Sequence, residues 1–146
     1  YTVGDVLAED RDAGLAQVAS IGYHYVELAG LYGKTAAEFK ALLDKHGLKA
    51  IAAHEGADGF FGDLSAVAER ANLFGYSHVV CPYLDESQRA IGYGKLAGQL
   101  IEVSSVLGGH GLTVCYPNHA FLLLYPSDAH CRPTGLESCH ADSRIT

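Results

Sequence analysis

Cations are scarce in this sequence. Its 146 residues hold 10 Lys and Arg against 17 Asp and Glu, a formal net charge of -7. Phosphate contacts need clustered Lys and Arg, so nucleic acid and an anionic membrane surface are not expected partners. Long apolar runs are missing as well. No stretch approaches the roughly eighteen residues that a membrane span requires. The four cysteines, Cys81, Cys115, Cys131 and Cys139, form no C-x-x-C pair. A disulfide scaffold is therefore not expected, and reduced thiols in a cytoplasmic setting are. The sequence contains no Met and opens on Tyr1, which leaves a removed N-terminal targeting segment open.

Hydrophobic residues make up 49% and charged residues 18%, a composition that buries a core in one globular domain. Four times a partly amphipathic segment ends at a glycine and a short β-type run follows. These runs are "IGYHYVELAG" (21–30), "HGLKAIAAH" (46–54), "FGYSHVVCPY" (74–83) and "HGLTVCYPNH" (110–119). Gly22, Gly47, Gly75 and Gly111 sit where a helix C-terminus favours a left-handed residue.

Helical periodicity fills the intervals. Thr35 and Glu38 form a T-x-x-E capping box, followed by a Phe39, Leu42 and Leu43 stripe. Leu64, Val67, Ala68, Ala71 and Phe74 stripe the next helix; Tyr93, Leu96, Ala97, Leu100 and Ile101, extended by Leu107, stripe the last. Leu15, Val18 and Ala19 make a weaker first stripe. The β runs are almost continuously apolar, as parallel strands covered on both faces are. "YTV" at the start reads as the tail of a preceding strand. The pattern is α/β, with four to five βα units and parallel strands. Two architectures fit: a partial (β/α)8 TIM barrel, or a five-stranded doubly wound sheet. A partial barrel leaves open sheet edges, which favour self-association.

In both architectures chemistry collects at the carboxyl ends of the strands. There the sequence places Glu27, then His54 and Glu55, then Tyr83, Asp85 and Glu86, and finally Asn118 and His119. Carboxylates and imidazoles on one rim can hold a divalent metal or move protons beside a sugar carbonyl. Bland readings stand beside these. Glu27 inside an apolar strand needs a partner or solvent, His54 could be a hydrogen-bonded rim residue, and Tyr83 could pack over the barrel end. Glu55, Asp85 and Glu86 read better as solvated loop charges. His24, His46, His78 and His110 lie at helix ends and strand starts, where structural roles are expected. His119, His130, Cys131, Cys139 and His140 match no structural zinc spacing.

With these residues in place, the chain resembles the sugar phosphate isomerase/epimerase family of xylose isomerase-like TIM barrels. "YTVGDVLAED" resembles the family's opening "LYTVRD", with Gly4 in place of Arg. Residues 15–54 are similar to its first two repeats, and "LFGYSHVVCPYLDE" to its fourth strand and loop. The likeness covers residues 1–121 as a partial barrel and leaves 122–146 as a divergent tail, expected to be poorly ordered. It implies a small sugar or sugar-phosphate substrate and a divalent metal (Mn, Mg, Co or Zn). It also implies aldose–ketose isomerisation or epimerisation through an enediolate, with the metal as Lewis acid. Glu27 and His54 would be catalytic; Tyr83, Asn118 and His119 would bind substrate.

The likeness breaks at "YPNHAFLL" (116–123). In the family's "YHNHDFEF", Pro117 replaces the first histidine, Ala120 the aspartate and Leu122 the metal-ligand glutamate. The ligand set is incomplete, and none of the chain's residues is assigned to a metal. The competing expectation is a non-catalytic half-barrel remnant, or a truncated or frameshifted product without a metal site. A third reading, the endonuclease branch of the superfamily, predicts a basic groove that the acidic balance does not supply.

Overall fold

A computed structural model describes residues 2–117. In chain order the elements are α1 (Gly4–Glu9), α2 (Arg11–Ser20), β1 (Tyr25–Leu28), α3 (Ala36–Lys45), β2 (Lys49–His54) and α4 (Ala57–Phe60). They continue with α5 (Leu64–Phe74), β3 (His78–Val80), α6 (Glu86–Arg89), α7 (Tyr93–Gly108) and β4 (Thr113–Cys115). The strands form one parallel sheet in the order β1-β2-β3-β4. Thr2 and Val3 of "YTV" form a turn that leads into α1 and not a strand. Asp10 then ends α1 and caps α2, its carboxylate accepting from the Asp12 and Ala13 N–H groups.

Sequential parallel strands joined by right-handed crossovers put every connecting helix on the same side. Burial follows that rule. Val79 and Val114 from the sheet, and Cys81 just past β3, join Phe39, Leu43, Val67, Ala71, Leu100 and Leu107 from the helices in one core. Among the described residues, the opposite face carries a three-residue cluster, Ala52, Val80 and Cys115. A doubly wound sheet needs a reversal of strand order and helices on both faces. Neither occurs among the described residues, so the partial barrel is the architecture. It follows that the strands are not buried on both faces: Tyr25 and Ile51 are more than half exposed.

The helix boundaries follow local chemistry. Thr35 and Glu38 close the expected capping box at α3, and Asp63 caps α5 by accepting from Ala66 N–H. At the far end of α5, Gly75 turns the chain with φ 81°, a conformation costly for residues bearing a Cβ. The α7 stripe differs from its sequence reading. Leu96, Leu100, Val103 and Leu107 are buried, whereas Tyr93 and Ile101 face solvent. Apolar residues surround most of this helix, so periodicity alone did not fix the buried side.

Phe39 is 2% exposed and stacks on Tyr32 with ring centroids 6.1 Å apart. Phe39→Ala should lower stability by about 3–5 kcal/mol, since a ring-sized cavity opens in packed surroundings. Guanidinium unfolding checks this, and a loss below about 1 kcal/mol contradicts the packing described.

Candidate functional site

The carboxyl ends of β1 and β2 bring two of the expected residues together. His54 Nε2 lies 2.6 Å from Glu27 Oε1. The side chains are 22% and 49% exposed, respectively, so the pair lies at the rim and not in the core. Its arrangement depends on a β-bulge. Val26 pairs with Ala50, but Glu27 pairs with Ala52, which leaves Ile51 as an extra residue on β2. Ala50 belongs to the helix-side core and Ala52 to the cluster on the other face. The bulge therefore resets the alternation of β2, and His54, two residues past Ala52, shares the face of Glu27.

This dyad has defined chemical options. With the ring proton on Nε2, the imidazole donates to the carboxylate and Nδ1 keeps a lone pair as a base. With both nitrogens protonated, the imidazolium is an acid beside a carboxylate base. Either form moves a proton across a short distance.

Glu55 behaves differently from its sequence reading. It is not a solvated loop charge: its side chain is 12% exposed and Arg70 of α5 grips it in a bidentate pair, Nε to Oε1 at 3.0 Å and Nη2 to Oε2 at 2.7 Å. Nothing in the local sequence marks the two as partners, because only the packing of α5 against β2 brings them together. Asp85 has a structural task, capping α6 reciprocally with Gln88, and Glu86 is exposed in the first turn of that helix. Tyr83 is 52% exposed, with the Arg89 guanidinium 5.6 Å from its ring centre. It rests on the rim as a cation–π partner and does not seal the barrel end. Asn118 and His119 lie outside the described residues, as do His130, Cys131, Cys139, His140 and the whole 122–146 tail.

Of the other histidines, His46 has a partner on a neighbouring helix. His46 Nε2 lies 2.7 Å from Asp12 Oδ1, and Lys45 bonds the same carboxylate. These two bonds hold the Asp12 carboxyl below its ordinary range. His24 and His110 are exposed, and His78 contacts Ser77. Cys81 and Cys115 are buried and form no disulfide. Burial pushes the Cys81 thiol up to about 11, so it packs as a small apolar group and is no nucleophile at neutral pH.

A divalent cation does not fit the described residues by themselves. Glu27 and His54 offer two donors, already bonded to one another, and no group of three or more His, Cys, Asp and Glu side chains converges among the described residues. Any further ligands would have to come from elsewhere. No helix among the described residues is long and apolar enough to cross a membrane.

Comparison with known proteins gives the fold its context. No protein-family model and no curated protein matches the chain. Solved structures do. One is a sugar phosphate isomerase/epimerase from Parabacteroides distasonis, 19% identical with a TM-score of 0.59, the match covering 82% of this chain and 49% of that one. Another is a family 2 AP endonuclease from Brucella melitensis, 16% identical with a TM-score of 0.55, covering 72% and 48%. A third is a xylose isomerase domain protein from Salmonella typhimurium, 13% identical with a TM-score of 0.54, covering 72% and 43%. The fold is that of a partial TIM barrel. The half barrel spans about half the length of these structures.

One group near the dyad titrates abnormally. Burial, reinforced by the Glu55 charge, pushes the Tyr76 phenol up to about 12. An unfolded tyrosine ionises near 10. Between pH 10 and 12 the unfolded chain thus releases a proton that the folded half barrel retains, and stability is lost across that window. Tyr76→Phe should remove this part of the alkaline loss. Urea unfolding of both proteins at pH 9 and 11 measures it, and parallel curves would refute the assignment.

Proposed function

We propose that the rim of this half barrel binds a small sugar or sugar phosphate and catalyses aldose–ketose isomerisation or epimerisation. The observation that carries the reading is the 2.6 Å Glu27–His54 dyad at the ends of adjacent strands. In a TIM barrel that rim is where the reaction site lies. The likeness in fold to a protein described as a sugar phosphate isomerase/epimerase supports the substrate class.

The reaction divides between the two groups. One member of the dyad takes the proton from the carbon beside the carbonyl, and the other handles the proton on oxygen as the enediolate forms. Return of the proton to the neighbouring carbon gives the isomer; return to the opposite face of the same carbon gives the epimer. Tyr83, exposed at the rim, would lie against the sugar, with Asn118 and His119 as further substrate contacts. A divalent cation (Mn, Mg, Co or Zn), where bound, supplies Lewis-acid polarisation of the substrate oxygens, with ligands beyond the dyad. Phosphodiester cleavage, suggested by the endonuclease among the similar structures, is disfavoured by the net charge of -7. A cytoplasmic setting accords with the absence of disulfides among the described residues.

The test is solvent proton exchange. A panel of aldose and ketose phosphates in D2O, with Mn, Mg, Co or Zn salts, should acquire deuterium at the carbon beside the carbonyl. Glu27→Ala and His54→Ala should each slow this at least about a hundredfold. No exchange by the unaltered protein, or undiminished exchange by both variants, would end the proposal.

A second reading, a non-catalytic remnant, is favoured by one observation: among the described residues the inner face of the sheet carries a three-residue apolar cluster and no covering helix. The two readings meet in self-association. The described sheet ends at β1 on one side and β4 on the other, and parallel edges recruit further strands. Sedimentation equilibrium should accordingly give a mass of two chains or more at micromolar concentration. A strictly monomeric chain would count against association.

A further inference from the structure

His54 is the last residue of β2, and the residue after it is anchored on two sides. Glu55 N–H donates to Val80 O of β3 at 2.9 Å. Its carboxylate is gripped by both Arg70 nitrogens from the middle of α5, a helix fixed in the core by Val67, Ala68, Ala71 and Phe74. The close approach is made possible by Gly59: a Cβ there would lie 2.9 Å from Glu55 Oε2. The pair also walls a cavity of about 160 Å³ that His54, Ala53, Phe74 and Tyr76 help to line. Space beside a catalytic imidazole is room in which it can swing, unless its backbone is held.

We propose that the Arg70–Glu55 ion pair is a positioning device for the dyad, locking the end of β2 so that His54 Nε2 stays on Glu27. The inference rests on the reading of Glu27 and His54 as the reacting pair. Its physical basis is geometric. A planar guanidinium bonded twice to one carboxylate fixes both position and orientation, which a single point charge does not. The Glu55 carboxylate is joined to His54 through one peptide unit, so rotation of the backbone at either residue would break the clamp. The ring is thereby tethered at both ends: through its own nitrogen to β1, and through the next residue to α5 and β3. No side-chain hydrogen bond or ion pair joins Arg70 or Glu55 to Glu27 or His54. They act through the chain.

A purely structural ion pair predicts something different, and the two can be separated. Removing Arg70 alone leaves a largely buried carboxylate unpaired, which destabilises whatever its role. Removing both charges relieves that penalty. The full chain, labelled with 15N in its histidines, should show a hydrogen-bonded His54 Nε2 proton far downfield, and Glu27→Ala should abolish it. Arg70→Met should lower the melting temperature and reduce the resonance. Glu55→Gln combined with Arg70→Met should recover most of the melting temperature, yet leave the resonance at least about fivefold weaker. Recovery of the resonance together with stability overturns the proposal, as does its absence from the unaltered chain. Because this readout needs no substrate, it separates the two ideas. Failure to exchange sugar protons with an intact clamp signature removes the proposed reaction and not the positioning. Full exchange activity in the double variant removes the positioning and not the reaction.

Discussion

Right-handed connection between neighbouring parallel strands is the constraint on which the rest of this structure depends. Once β1 to β4 lie side by side in sequence order, each crossover helix must fall on the same side. One face of the sheet then receives Phe39, Leu43, Val67, Leu100 and Leu107, and the other receives none of them. Among the described residues, the sheet is packed by helices from one side. Glu27 and His54 lie along the rim of the other side, where side chains need not pack against helices. The division between a stabilising face and a reactive rim is therefore a consequence of handedness before it is one of residue identity.

Within that frame a single extra residue decides whether there is a dyad at all. Along β1 alternation is regular: Val26 packs toward the helices, Glu27 away, Leu28 toward. On β2 the residues Ala50 and Ala52 would share a face in an unbroken strand, but they lie on opposite faces because Ile51 bulges between them. A strand without the bulge would turn His54 toward the helices and leave Glu27 alone at the rim. The bulge and the Arg70–Glu55 clamp thus do complementary things: the first selects the face on which His54 emerges, the second holds the backbone where it does so.

This explains why the fold was legible in the sequence and the site only partly so. Glycines at helix ends, the Thr35–Glu38 box and the Leu64–Phe74 stripe are local signals, and local signals survive in one dimension. Glu27 and His54 could be named as rim residues because they end apolar runs. That they touch could not be read, because "KAIAAH" gives no hint of which apolar residue is the extra one. Glu55 was misread for a related reason: its partner is fifteen residues away, and only the packing of α5 onto β2 joins them. The α7 stripe failed through an excess of signal, since Tyr93 and Ile101 are apolar yet exposed. The reading of "YTV" as the tail of a strand failed because Thr2 and Val3 turn directly into α1.

The exposure of the dyad bears on how much chemistry it can perform. Glu27 is 49% exposed at its side chain, and in water-like surroundings a pair of charges interacts only weakly. The same groups in a lumen closed to water interact several times more strongly, because the effective dielectric falls. Moving the proton requires the geometry that the bulge and clamp supply. Stabilising the charge that develops on the substrate requires, in addition, that solvent be displaced from the inner face. The four described strands supply the first, and among the described residues that face carries only the Ala52, Val80 and Cys115 cluster. In the proposed reaction, rate would therefore depend less on which residues stand on the rim than on what covers the sheet behind them, so that occupancy of the inner face and reactivity of the dyad would be two measures of one property.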